Sequence, residues 1–312
     1  MKAAVIGAGN VGKAVFHDLQ HVRMISELTL IGRDMDKVRA EVMDARDAAV
    51  LRGENGPRLF YGGYSAAEGS DLLICTAGAA KLKGERMSVL RENTVITEEI
   101  FTEISRYNRD PIVICATNPL DVIVMKILRT TGWDPRRVIG SGTLLESGRL
   151  IRYLSELLDL SDRSVRVSVV GEHGPTAVAL LSSVRIMGMT LDEYFRSVTA
   201  SRAGFDRDRL TEAFKKEAYR IFLGKGYTST GVSAAVCRIA GAIASDSREV
   251  FPVSSELQGE YGLSGVAVSV PSVIGKSGIE EITEAVMNAE EREAFLASAE
   301  TVRQAAASVG II

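Results

Sequence analysis

The residues with the clearest chemistry lie in Val169-Val170-Gly171-Glu172-His173-Gly174, a β-branched run that stops on glycine, glutamate, histidine and glycine. The chain has three histidines. His17 and His21 fall in the first helical segment, whereas His173 stands at a strand end between glycines. Imidazole titrates at about pH 6.5, so it gives and takes protons readily near neutrality. Acid–base chemistry on a small molecule is therefore expected at His173; the competing reading is a buried histidine fixed by a backbone bond. Glu146 and Arg149 are spaced i, i+3 in a segment of helical pattern, Leu144 to Leu158, which puts them on one face. They are either a surface ion pair or a carboxylate beside an arginine clamp, close to His173.

A second group of residues is built for phosphate. Gly7-Ala8-Gly9-Asn10-Val11-Gly12 follows an apolar strand, Lys2–Ile6, and precedes a helix expected over Lys13–Val22. Strand, tight glycine turn and helix together form the dinucleotide fingerprint, with the pyrophosphate at the helix N-terminus. The next strand, Leu28–Ile31, ends at Gly32-Arg33-Asp34. An NAD site uses a carboxylate there, about 20 residues past the glycines, to bind the ribose hydroxyls. Gly32 removes that carboxylate and Arg33 offers a bidentate partner for a 2′-phosphate. A nicotinamide cofactor is expected, with NADP favoured over NAD. Asp34 either caps the next helix or takes the ribose role itself.

The elements that position these groups alternate between strand and helix as far as Thr143. A helix over Met35–Leu51, a strand over Arg58–Tyr61 and a buried strand over Asp71–Thr76 lead into Ala77-Gly78. A charged loop, Ala79 to Arg86, comes before a helix over Ser88–Ile104. Pro111–Thr117 is another buried strand and closes on Asn118-Pro119-Leu120-Asp121. This is a doubly wound parallel sheet of Rossmann type, expected over residues 1–143. The remainder, 144–312, reads as an α+β domain. Its expected strands are Arg166–Val170 and Val178–Val184, with a hairpin of Gly265–Val270 and Ser272–Ile274. Its helices are expected over Glu212–Leu223, Val232–Ser245 and most of Glu280–Val309.

Composition narrows the function classes. A net charge of −3 with 25% charged residues gives no general affinity for nucleic acid or an anionic membrane. No apolar run is long enough for a bilayer, and the opening lacks a secretory leader pattern. Cys75, Cys115 and Cys237 suit neither a disulfide framework nor a metal site. Buried free thiols in a reducing cytoplasm are expected.

Taken in order, these motifs resemble the L-lactate/L-malate dehydrogenase family along essentially the whole chain. The resemblance rests on the glycine fingerprint, Thr76-Ala77-Gly78, Thr117 to Val122 and Val138 to Leu145. It also rests on Gly171-Glu172-His173-Gly174, Gly224 to Thr228 and Val270 to Gly275. The flavour is nearest to the lactate and hydroxyisocaproate enzymes. The resemblance implies that His173 is the proton donor and acceptor, Arg149 the clamp on the substrate carboxylate and Arg86 the loop arginine that polarises the carbonyl. It implies that Asn118 hydrogen-bonds at the substrate oxygen and that Thr228 walls the pocket. A homodimer or homotetramer acting on a small 2-oxo or 2-hydroxy acid is the expectation.

The sequence departs from that family at four places. The carboxylate that orients the histidine is normally aspartate and is Glu146 here. The loop before Arg86 is one residue short. Lys81 stands where lactate enzymes carry glutamine and malate enzymes arginine. Ile151 and Arg166 replace the arginine and histidine of sugar-bisphosphate-activated lactate enzymes. Malate and branched 2-hydroxy acids such as hydroxyisocaproate are therefore the alternatives to lactate. A nucleotide-binding protein with impaired catalysis is the alternative from another class. An NAD-dependent glycosidase, which needs a metal held by Cys and His, fits poorly.

Overall fold

The computed structural model describes residues 1–53, 56–79, 86–197, 216–217 and 219–312, with the backbone alone at 86–88. β1 (Lys2–Ile6), β2 (Glu27–Ile31), β3 (Arg58–Gly62), β4 (Leu72–Cys75), β5 (Ile112–Cys115) and β6 (Val138–Gly140) form a parallel sheet. β4 and β5 are buried at every position, as strands covered on both faces must be. Alternate residues face opposite ways. Val5, Leu30, Ile74 and Ile114 pack against α1 (Asn10–Leu19), α2 (Met35–Arg52) and α7 (Thr230–Ser245). Ile6, Leu73, Cys75 and Val113 pack against α3 (Arg86–Ile104), α4 (Leu120–Thr131) and α8 (Ala289–Ala307). The order β3-β2-β1-β4-β5-β6 is the doubly wound arrangement.

The second half departs from its expected elements. Arg166–Val170 divides into β7 (Val165–Arg166) and β8 (Val169–Val170), which pair with β10 (Arg185–Ile186) and β9 (Val178–Ala179). These ribbons pack on α5 (Leu144–Leu158) and α6 (Leu191–Ser197) through Leu150, Leu154, Val165, Val169 and Tyr194. The chain then returns to the main sheet. β11 (Glu249–Gln258), β12 (Ser264–Gly275) and β13 (Gly278–Ile282) add three antiparallel strands, joined to β6 where Ser254 meets Gly140. One sheet of nine strands thus runs past Thr143 into the C-terminal half.

The expected hairpin of 265–270 with 272–274 is instead the single strand β12. Pro271 reads as a break but costs the ladder nothing. It lies opposite Pro252, and the two carbonyls turn outward to accept from Thr283 N at 2.8 Å and Thr143 N at 3.1 Å. The missing N–H groups therefore fall outside the β11–β12 ladder. The helix expected from Glu280 begins at Ala289, where Asn288 and Glu291 form a capping box. Of the helix expected over Glu212–Leu223, residues 212–215 and 218 lie outside the described residues; 216–217 and 219–223 are helical, and the helix runs on to Lys225. Among the described residues no helix is long and apolar enough to cross a membrane.

Candidate active site

His173 is held by backbone bonds to three different elements. Gly171 and Ser269 of β12 exchange N–H···O bonds at 2.9 and 2.8 Å. The Glu172 N–H donates to Ser298 Oγ of α8 at 2.8 Å. The His173 N–H donates to Asp121 Oδ2 of α4 at 2.8 Å. Gly171 has φ +88, and a Cβ there would stand 2.7 Å from Ser298 Oγ, so only glycine lets the strand end so close to α8. The first turn of α5 is tied to the same strand. Thr143 Oγ1 donates to the Val169 carbonyl at 2.5 Å and Val169 N–H donates to Ser147 Oγ at 2.9 Å. Glu146 and Arg149 are thereby registered against His173.

These three side chains meet on one oxygen. Glu146 Oε1 lies 3.4 Å from His173 Nδ1 and 3.6 Å from an Arg149 terminal nitrogen. Arg149 is only 8% exposed, so the i, i+3 pair is buried and the surface reading is excluded. The longer glutamate reaches the imidazole within ion-pair distance, yet Nδ1 and Glu146 Oε2 both lack a hydrogen-bond partner of good geometry. Burial disfavours the imidazolium, but the charge of Glu146 beside Nδ1, followed by the charge of Asp121, outweighs it and raises the His173 pKa to about 9. Burial pushes the Glu146 carboxyl up; His173 and then Arg149 pull it down further, so its pKa is lowered on balance.

Arg149 and His173 open into different cavities. Arg149 and Thr228 line one of about 340 Å³ with Leu145, Arg152, Lys225 and Ser229. His173 and Asp121 line another of about 320 Å³ with Leu90, Pro119, Thr301 and Gln304. The carboxylate of Glu146 links the two. Asn118 is exposed at the mouth of β5, where its carbonyl accepts from Asn93 Nδ2 at 2.6 Å. Arg86 is the first residue of α3. Lys81 lies outside the described residues, as does the rest of the 80–85 loop.

The glycine turn fits a dinucleotide. Helix α1 starts at Asn10, earlier than its sequence pattern suggests, so Asn10, Val11 and Gly12 form its first turn. The Gly9 cap brings no side chain and the first turn no acid, which leaves the positive helix end to an anion. A Cβ on Gly12 would lie 1.7 Å from the Gly7 carbonyl oxygen. Thr76 Oγ1 donates to the Ile6 and Gly7 carbonyls at 3.0 and 3.1 Å, locking β4 to the turn. Gly7, Gly9, Gly32, Arg33, Thr76, Ala77 and Gly78 line one cavity of about 270 Å³. Asp34 caps α2, accepting from Lys37 N–H at 3.2 Å, and that backbone bond is the largest influence lowering its pKa.

Three residues the sequence did not single out belong to this frame. Asp121 and Ser254 sit under His173, and Asn93 bridges the loops after β4 and β5, taking the Ala79 N–H at 2.7 Å. Asp121 alone carries a sequence signal, a carboxylate in the apolar run Leu120 to Val124.

Comparison with known proteins agrees with this fold. The model of the lactate/malate dehydrogenase NAD-binding domain matches residues 1–140, and that of the lactate/malate dehydrogenase alpha/beta C-terminal domain matches residues 143–309. The chain is 36% identical to an L-lactate dehydrogenase of Acetivibrio thermocellus over 97% of this chain and 95% of that one. It is 38% identical to an L-lactate dehydrogenase of Nitratidesulfovibrio vulgaris over 96% of each. The crystal structure of a minor L-lactate dehydrogenase from Enterococcus mundtii matches with a TM-score of 0.92 at 28% identity, covering 99% of this chain and 98% of that one. Two domain models that together take in nearly the whole sequence, in the order the fold presents them, place the chain in the lactate/malate dehydrogenase family.

Proposed function

We propose that the chain is an oxidoreductase that moves a hydride reversibly between a nicotinamide cofactor and a small L-2-hydroxy acid. Pyruvate and L-lactate rank first, oxaloacetate and malate second, with branched acids such as 2-oxoisocaproate close behind. The observation that carries this reading is the convergence of His173 and Arg149 on a single oxygen of Glu146. It joins a proton carrier to a carboxylate clamp in a chain of this family.

When bound, the nicotinamide supplies the hydride for C2 of the substrate. His173 holds at Nε2 the proton that the new alkoxide takes up, because Nδ1 faces Glu146. Glu146 orients the ring. Arg149 grips the substrate carboxylate with its planar fork. Arg86 stabilises charge developing on the carbonyl oxygen, and Asn118 hydrogen-bonds at that oxygen. Thr228 walls the pocket, and Lys81 bears on which substrate side chain is accepted. Residues 1–143 serve the cofactor and 144–312 the substrate, in a cytoplasmic homodimer or homotetramer.

The pH dependence in the two directions tests the acid–base part. Reduction needs the imidazolium, so with His173 near pKa 9 its kcat/KM stays level at neutral pH and falls about tenfold per unit above 9. Oxidation needs the neutral ring, so its kcat/KM climbs about tenfold per unit and levels off above 9. Initial rates from pH 6 to 10 check both limbs. Identical limbs in the two directions would remove His173 from the proton transfer.

NADP is the favoured cofactor. Gly32 carries no carboxylate, Asp34 is engaged as the cap of α2, and Arg33 and Lys37 line the same cavity. NADPH should give the higher kcat/KM. Arg33→Ala should cost NADPH roughly 10- to 100-fold, as expected for a charge-assisted bond, while leaving NADH nearly unchanged. A strong preference of the unaltered chain for NADH would refute the assignment.

A further inference from the structure

We infer that Asp121, held by Ser254, is a positioning residue for His173: it fixes the backbone under the imidazole and gives the ring a second carboxylate neighbour. The inference rests on the proposed role of His173 and deepens it. Asp121 is 3% exposed and uses both oxygens. Oδ2 accepts the His173 N–H at 2.8 Å and Oδ1 accepts the Ser254 hydroxyl at 2.6 Å. A carboxylate buried this fully would be expensive without partners, and here the partners come from β11 and from the His173 segment. Asp121 thus ties α4, β11 and the end of β8 together at one point. It also lines the same cavity as His173.

Among the described residues, Glu146 faces His173 from α5 with Arg149 paired behind it, Asp121 approaches from α4, and Glu172 precedes it. From α8 and its C-cap the cavity receives Thr301, Gln304 and Ser308, which do not titrate. Ser254 and His173 favour the ionised form of Asp121 against its burial, while Glu172 opposes it. Burial is the largest influence and raises the Asp121 pKa to about 6, so near neutrality the group is mostly ionised. Its charge then adds to that of Glu146 in favouring the imidazolium.

Asp121→Asn keeps the shape and an acceptor for the His173 N–H but removes the charge. Ser254→Ala keeps the carboxylate and removes one hydroxyl partner; Asp121, near pKa 6, still carries its charge at the alkaline pH where His173 titrates. Asp121→Asn should therefore lower the His173 pKa, and Ser254→Ala should leave it nearly unchanged. The measurement is an NMR titration of the His173 ring, identified among three histidines by the signal lost in His173→Gln. Alongside it runs the pH profile of pyruvate reduction. We expect the His173 midpoint to fall by about half a unit or more in Asp121→Asn, or in Asp121→Ser should the asparagine variant not fold, and to stay within about 0.2 unit in Ser254→Ala, with the descending limb of kcat/KM moving with the midpoint. A midpoint within about 0.1 unit of the unaltered chain in the folded Asp121 variant, or an equal fall in Ser254→Ala, would overturn the inference. The NMR midpoint does not depend on turnover. Absence of activity towards every 2-oxo acid would therefore count against the proposed reaction and leave the Asp121 result standing.

Discussion

Replacing His173 by glutamine should lower kcat for 2-oxo acid reduction by about 10²- to 10⁴-fold, the range for losing a positioned general acid. Glutamine keeps a hydrogen-bonding head near the Glu146 carboxylate but has no proton to give at neutral pH. The His173 backbone bond to Asp121 survives the change, because it uses the main-chain N–H. The glycine cradle belongs to β1, α1 and β4 and takes nothing from the His173 segment. Cofactor affinity should accordingly stay within about twofold, which separates loss of chemistry from loss of fold. Steady-state kcat together with a cofactor titration by fluorescence decides it. A kcat within a few-fold of the unaltered chain would show that the proton travels by another route.

The second large effect belongs to Arg149. Among the described residues, truncation to alanine would leave Glu146 with His173 as its one cationic partner, and removing one partner of a buried pair costs about 3–5 kcal/mol. Stability and binding would then be lost together. Arg149→Lys separates them, because lysine keeps the charge beside Glu146 but cannot present a planar fork. Lysine should hold the melting temperature within a few degrees. It should also raise KM for pyruvate and cut kcat/KM by roughly 10²-fold, with the cofactor KM unaffected. Differential scanning fluorimetry and initial rates read the two halves. Unchanged kcat/KM with lysine would mean that the guanidinium serves Glu146 alone and never meets the substrate.

Much of the frame could be read from the chain. The parallel strands are short, mostly apolar runs, three of them opening on a charged residue, and local pattern specifies them. The glycine turn is legible because three glycines with a strand before and a helix after leave few other structures. Glu146 and Arg149 are legible as neighbours because helix spacing fixes them. Other features depend on residues far apart in sequence. β11 and β12 carry Pro252 and Pro271, which look like strand breakers until the two are seen opposite each other at a position where the ladder asks for no N–H. Asp121 resembles an ordinary helix-start acid; its role exists only because β8 ends 52 residues later against α4. Whether Glu146 and Arg149 lay buried beside His173 or paired at the surface was likewise undecidable locally. Thr143 and Ser147 gripping Val169 settle it.

The most direct measurement is the loss of reduced-nicotinamide absorbance when the purified chain meets pyruvate, oxaloacetate and 2-oxoisocaproate, each with NADPH and with NADH. Turnover of at least one of these acids, fastest with pyruvate and abolished in practice by His173→Gln, is the predicted result. No oxidation of either cofactor with any of the three acids, in a chain that still binds the dinucleotide, would contradict the proposed reaction and leave a nucleotide-binding protein without this catalysis.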